Sequence, residues 1–172
     1  MDPAAHVLED ARAVLRKYKQ LGDGAMAQVD DAALFAQLDP EALSIALIVK
    51  HMAGNMRSRW TDFLTTDGEK PDRGRDSEFV LDPGTTRETV ARWWEEGWRT
   101  VFAAIDPLTP DDVTRTVTIR GEPHTVLQAI TRQVAHYAYH VGQIVLLAKH
   151  ARGAEWESLS IPKGESKRYL RR

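Results

Sequence analysis

Apolar side chains recur at helical spacing in four long stretches of the chain, and the clearest of these runs from Thr125 to Gly153. Within it, the apolar positions follow one another at alternating steps of three and four residues. They are Leu127, Ile130, Val134, Tyr137, Val141, Ile144 and Ala148. This spacing places them on one face of a helix and predicts that the face packs against a core. Gly153, directly after a basic last turn, predicts where the helix ends.

Three other stretches show the same spacing. The first covers about residues 3–29, the second about residues 45–64 and the third about residues 86–105. Thr85 and Glu88 stand at the spacing of a capping box, which predicts the start of the third helix. Four long helical patterns without an internal repeat predict an all-α protein built as a four-helix bundle.

The connections between these helices are uneven in length, so they leave the helix order open. Residues 30–42 predict a connector with at most one short helical turn. Residues 65–84 are mostly polar and contain several Gly and Pro residues, and a loop of that length in a compact domain is usually either a functional cover or disordered. We expect part of it to cover one end of the bundle and limit access to a pocket. Residues 116–120 predict a short strand before the last helix, too short to define a sheet.

Composition narrows the class of protein. A chain of 172 residues, 42% of them hydrophobic, predicts one domain over residues 1–172 with an extended tail from about residue 154. A net charge of -2 does not attract nucleic acid or an anionic membrane over the whole surface. No segment approaches the ~18 apolar residues of a membrane span, and the N-terminus lacks a signal peptide's apolar region, so we expect a soluble cytoplasmic protein. Because cysteine is absent, a metal would need histidine, carboxylate or water ligands.

Histidines flank the apolar stripes of two predicted helices. His136 and His140 are four residues apart on the last helix, which places one imidazole above the other. His51 lies on the flank of the second helix, one turn before Asn55. A bundle that brings His51 opposite the pair would provide three neutral imidazoles and an open coordination position, an arrangement that suits Zn²⁺, Ni²⁺ or Fe²⁺. A di-iron bundle is disfavoured, because its Glu-x-x-His motif would need Glu where Gln133 stands.

Three sequence segments together resemble a known family. They are KHMAGNMRSRW (50–60), HYAYHVGQIVLLAKH (136–150) and LSIPKGES (159–166). In these segments, and over most of its length, the chain is similar to the DinB/YfiT-like superfamily of metal-binding four-helix bundles, in a branch largely of unknown function. The resemblance implies up-down-down-up connectivity, a dimer, and one divalent ion, Zn²⁺ or Ni²⁺, held by His51, His136 and His140. Some relatives are transferases or isomerases that use low-molecular-weight thiols, an activity that the motifs of this chain do not assign.

Two classes of function follow from such a site. The first is a metal-dependent enzyme, a hydrolase or a thiol S-transferase. In it, Asn55 orients the substrate or the metal-bound water, or else is only an ordinary polar residue at a helix seam. Glu95 and Glu96 are candidates for a hydrogen-bond acceptor or a general base at the site, or else they are exposed charges on the third helix. The second class is a non-catalytic metal-binding protein or a stress-related interaction module. An enclosed pocket of substrate size beside the metal favours the enzyme, and a collapsed or saturated site favours the module.

The opposite face of the last helix carries a second apolar row. Its members are Ala135, Tyr139, Gly142 and Leu146. Small residues allow another helix to approach closely, and the larger two supply area to bury, so the row predicts a homodimer. The alternative is that the first helix, or the tail through Trp156, covers the row within one chain.

Overall fold

All four long helical patterns form α-helices, and the protein is mostly helical. The computed structural model describes residues 2–169. Within that range the helices are α1 (Pro3–Met26), α2 (Asp31–Phe35), α3 (Ile45–Trp60), α4 (Arg87–Ile105), α5 (Val126–Arg152) and α6 (Ser166–Tyr169). The short α2 is the helical turn predicted in the connector. α1 and α3 end a few residues earlier than the apolar spacing predicted.

Local polar groups explain where the helices begin. The Asp2 side chain accepts a hydrogen bond from the main-chain N–H of Ala4 at the start of α1, and Ser44 does the same for Leu47 in α3. At α5, Thr125 and Gln128 form a reciprocal capping box. Gly153, with a positive φ of 54°, is the C-cap of the same helix, as predicted.

The predicted start of α4 was wrong by one residue. Thr86, not Thr85, is the N-cap, and its side chain accepts a hydrogen bond from the main-chain N–H of Thr89. Thr86 has the extended conformation that lets a capping hydroxyl reach back over the first turn, whereas the Thr85 hydroxyl donates to the main-chain oxygen of Asp82. The two candidates are adjacent hydroxyl residues, so only the backbone conformation distinguishes them.

A β-hairpin precedes α5. Strands β1 (Thr116–Ile119) and β2 (Glu122–Thr125) pair antiparallel. The turn residues Arg120 and Gly121 both have positive φ, 57° and 77°, as a two-residue type I′ turn requires. The first strand was predicted, but the second was missed because it contains Pro and shows no apolar alternation.

The contacts of α4 show how three of the long helices run. Lys50 in α3 lies over the Trp93 ring of α4, 5.4 Å from its centroid, and Met56, further along α3, packs where Gly97 leaves room on α4. These two helices therefore run in the same direction. α1 runs opposite to α4, because Arg12 early in α1 donates to the Ile105 main-chain oxygen at the end of α4.

One continuous core lies between the long helices, and its largest fully buried side chains include Trp98 and Tyr137. α5 runs opposite to α3, since Trp60 at the end of α3 donates to the Tyr137 hydroxyl in the first half of α5 at 2.9 Å. After α5 the tail returns to the end of α1, where Gln28 exchanges two hydrogen bonds with the Glu157 main chain. Among residues 2–169, no helix is long and apolar enough to cross a membrane.

Candidate metal centre

The three predicted histidines meet between α3 and α5. The ring centroids of His136 and His140 are 4.7 Å apart, and that of His51 lies 5.5 and 4.9 Å from them respectively. One nitrogen from each ring can be chosen so that all three lie within 4.8 Å of one another. Three nitrogens bound to one Zn²⁺ at about 2.1 Å stand roughly 3.4 Å apart in a tetrahedral arrangement. The nitrogens would therefore need to approach one another by up to about 1.4 Å to bind a single ion.

Hydrogen bonds occupy only one ring nitrogen, Nδ1, in each of His51 and His140. His51 Nδ1 lies 2.9 Å from Glu78 Oε2, and a carboxylate only accepts, so Nδ1 carries the proton, and in the neutral form of the ring Nε2 has the lone pair that can bind a metal ion. His140 Nδ1 likewise donates to Gln143 Oε1 at 2.8 Å. His140 Nε2 and His136 Nδ1 are buried without a partner among the described residues. Each buried polar atom without a partner lowers the stability of the fold by about 1–3 kcal/mol. A cation bound by both rings would offset that loss at both atoms.

The environment keeps two of the histidines neutral. Burial, with smaller contributions from the neighbouring His140 and His51, lowers the pKa of His136 to about 3. Burial also lowers the pKa of His140 to about 4, against a smaller opposing effect of its hydrogen bond to Gln143. Neutral imidazole is the form that binds metal, so at neutral pH these two rings need not lose a proton first. The donor set therefore fits a divalent cation.

A carboxylate that the sequence analysis did not select holds His51 in place. Glu78 lies in the α3–α4 link (residues 61–86), on a short 3-10 helix, and is 6% exposed. Burial alone would raise the pKa of Glu78, but hydrogen bonds from Arg73 and His51 outweigh it and lower the pKa. Arg73 donates to both carboxylate oxygens, at 2.7 and 2.9 Å. Glu78 is therefore an anion that fixes both the tautomer and the orientation of His51.

Two features of the sequence make room for this contact. Gly54 lies three residues after His51 on α3, and a β-carbon there would stand 2.6 Å from Glu78 Cδ. Phe79, next to Glu78, stacks on the His51 ring with centroids 4.8 Å apart and an interplanar angle of 24°. The α3–α4 link thus forms one wall of the centre. Its predicted role in limiting access to a pocket stays a prediction.

Neither acidic residue proposed from the sequence contacts the histidines. Glu95 pairs with Lys19 of α1 at 2.9 Å, and Glu96 lines a surface pocket to which none of the three histidines contributes. Glu78 gave no sequence signal, because it follows His51 by 27 residues and lies in a stretch without periodicity. Only the path of the link brings it to the ring.

Asn55 lies beside the centre on α3 and is 6% exposed. Trp60 Nε1 donates to the Tyr137 hydroxyl at 2.9 Å, and that hydroxyl donates to Asn55 Oδ1 at 3.3 Å. Because Oδ1 is used in this way, the Asn55 amide group left for other contacts is the NH₂ donor. Asn55 also lines a cavity of about 370 Å³ that borders His51 and His136.

The apolar row on α5 is exposed in the single chain. Tyr139 is 53% and Leu146 is 64% exposed, and a β-carbon at Gly142 would have no atom within 4 Å apart from its chain neighbours and the backbone of α5. Neither α1 nor the tail covers these positions within residues 2–169. Trp156 instead packs against the core. The homodimer stays a prediction.

Comparison with known proteins places the chain in a family. The profile of a family described as "Protein of unknown function (DUF1572)" matches residues 2–165, so the chain belongs to that family. A search of curated proteins finds no match. The family description states no activity.

Proposed function

We propose that this family member binds one divalent metal ion, Zn²⁺ or Ni²⁺, through His51, His136 and His140, and that the ion serves catalysis. The observation that carries the proposal is the convergence of three imidazoles whose ring nitrogens lie within 4.8 Å of one another. Two ring nitrogens of this cluster are buried without a partner among the described residues, which supports a shared ligand.

The chemistry proposed is that of a metal-dependent hydrolase or thiol S-transferase. A divalent ion held by neutral imidazoles would lower the pKa of a coordinated water or thiol, so that it becomes a nucleophile near neutral pH. Glu78 orients His51 through its hydrogen bond. Asn55 directs its NH₂ group toward a substrate in the adjoining cavity, the substrate-binding role considered from the sequence.

We further propose that the four long helices form the up-down-down-up bundle of the DinB/YfiT-like superfamily. The parallel course of α3 and α4 supports this arrangement, because α1 runs opposite to α4 and α5 runs opposite to α3. The positions of His51 on the second long helix and of His136 and His140 on the fourth agree with the resemblance.

The alternative function is a non-catalytic metal-binding protein or a dimeric, stress-related interaction module. The exposed row around Tyr139 and Leu146 favours it, because it offers an apolar surface for a second copy. The cavity of about 370 Å³ beside His51 and His136 favours the enzyme, since a purely structural site needs no substrate-sized space.

Metal content tests the proposed centre directly. Protein purified without a metal-affinity tag should contain about one divalent ion per chain by elemental analysis. His140→Ala should abolish stoichiometric metal, whereas His150→Ala, which alters an exposed histidine at the end of the same helix, should retain it. Undiminished metal in the His140 variant would show that the three-histidine centre is wrong.

A turnover screen separates the two functional classes. The metal-loaded protein would be assayed with ester and amide substrates and with electrophiles in the presence of low-molecular-weight thiols. Turnover that disappears in His140→Ala and persists in His150→Ala supports a metal-dependent enzyme. Stoichiometric metal without turnover in any of these assays supports the non-catalytic alternative.

A further inference from the structure

The cavity beside the histidines has a strongly basic wall. Arginines from four separate parts of the fold line it, namely Arg59 on α3, Arg73 and Arg75 on the α3–α4 link, Arg120 in the hairpin turn and Arg132 on α5. The whole chain has a net charge of -2, so this concentration of positive charge is local and opposite in sign to the average.

Carboxylates pair with only part of this wall. Glu69 accepts from three of the arginines, Arg59 at 2.9 Å, Arg73 at 3.3 Å and Arg120 at 2.8 Å. Glu78 is shared between Arg73 and His51. Among the described residues, two carboxylates therefore form ion pairs with a wall of five guanidinium groups, which leaves positive charge in excess.

Two of the arginines are available to a ligand. Within residues 2–169, Arg75 and Arg132 have neither a carboxylate within 4.0 Å nor a side-chain hydrogen bond. The side chains of Arg59 and Arg73 are only 4% and 3% exposed, so the positive charge that they add to the wall is buried.

Uncharged amides complete the wall. Gln133, one turn before His136 on α5, is 3% exposed, and its Oε1 is buried without a partner among the described residues. Gln133 and Asn55 both line the same cavity. Gln133 Oε1 is an acceptor, so it needs a hydrogen-bond donor, such as a hydroxyl group of a ligand, whereas the free guanidinium groups in the lining of the same cavity need an acceptor. Together these groups indicate a cavity that binds a polar ligand.

We propose that the cavity binds the carboxylate or phosphate group of a small substrate, with Arg75 and Arg132 as its principal ligands. Guanidinium groups pair with the oxygens of either group, often in a bidentate manner. The volume of about 370 Å³ lies within the range of small-molecule binding sites. This inference rests on the proposed metal-dependent function, because the bound anion would hold the rest of the substrate beside His51 and His136.

Calorimetric titration of metal-free protein tests the site without depending on activity. Inorganic phosphate and succinate would be titrated separately at constant ionic strength, and the tighter of the two identifies the preferred group. Arg75→Ala and Arg132→Ala should each weaken binding by about tenfold or more, as expected for loss of a charge-assisted hydrogen bond. Arg92→Ala, which removes an exposed arginine of α4 away from the cavity, should leave binding unchanged.

The outcomes separate this inference from the proposed function. Absence of saturable binding of both anions, or equal weakening in Arg92→Ala, overturns the anion site. If zinc still binds stoichiometrically in that case, the metal centre stands. If the anions bind as expected and the protein holds no metal, the anion site stands and the metal-dependent function is wrong. Thermal melts of each variant establish that the protein measured is folded.

Discussion

Replacing Glu78 by Gln tests whether the α3–α4 link controls the metal centre. The substitution keeps the shape of the side chain but removes the charge that accepts from His51 at 2.9 Å and from Arg73 at 2.7 and 2.9 Å. A Gln side chain has one oxygen for these donors, and its NH₂ group would face another donor. His51 should then lose its fixed tautomer and orientation.

The expected loss of metal affinity follows from that role. Removal of a carboxylate that orients a metal-binding histidine typically weakens metal binding by about 10–100-fold, or roughly 1.4–2.7 kcal/mol. Stability should also fall, because the Arg73 side chain, 3% exposed, would keep only Glu69 as an anionic partner. Breaking a buried ion pair lowers the free energy of unfolding by about 3–5 kcal/mol. Because the Gln oxygen can still accept one hydrogen bond, the loss of stability should lie near the lower end of that range.

Competition with a chromophoric zinc chelator would measure the affinity, and circular dichroism would establish the folded fraction. Asp76→Asn is the matched control, since it removes a carboxylate from the same short 3-10 helix at an exposed position. The control should bind zinc like the wild type. A folded Glu78→Gln protein whose zinc affinity stays within about threefold of the wild type would refute the orienting role.

Three further predictions concern other parts of the structure. Gly54→Ala should displace Glu78, because the new β-carbon would stand 2.6 Å from Glu78 Cδ, and the zinc titration should show weakened binding. Burial lowers the pKa of His136 to about 3 and of His140 to about 4, while unfolded imidazoles titrate near ~6.5. Below pH ~6.5 the unfolded state therefore binds more protons than the folded state. The melting temperature of the metal-free protein should fall as the pH drops from about 6.5 to about 4. In a double His136→Gln, His140→Gln variant, the melting temperature should depend less steeply on pH. Leu146→Glu should convert a dimer to a monomer in light scattering without loss of helix content; a wild type that is monomeric at micromolar concentration would exclude the dimer.

Local sequence determined the helices and the spacing of two histidines. α5 could be predicted almost to the residue, because its apolar stripe is long and both ends carry local signals at Thr125 and Gly153. The four-residue separation of His136 and His140 places them together on any regular helix. Such features depend on hydrogen bonds and side-chain spacing between residues only a few positions apart, so they can be predicted from the sequence.

Tertiary structure decided which groups surround those histidines. The distance between His51 and α5 depends on how two helices pack, and the contact of Glu78 with His51 depends on the path of an irregular link. The basic wall likewise joins arginines from four segments. No local sequence pattern specifies these contacts, because they form between residues that are far apart in the chain. A buried charge pairs with whichever opposite charge the packing brings close to it.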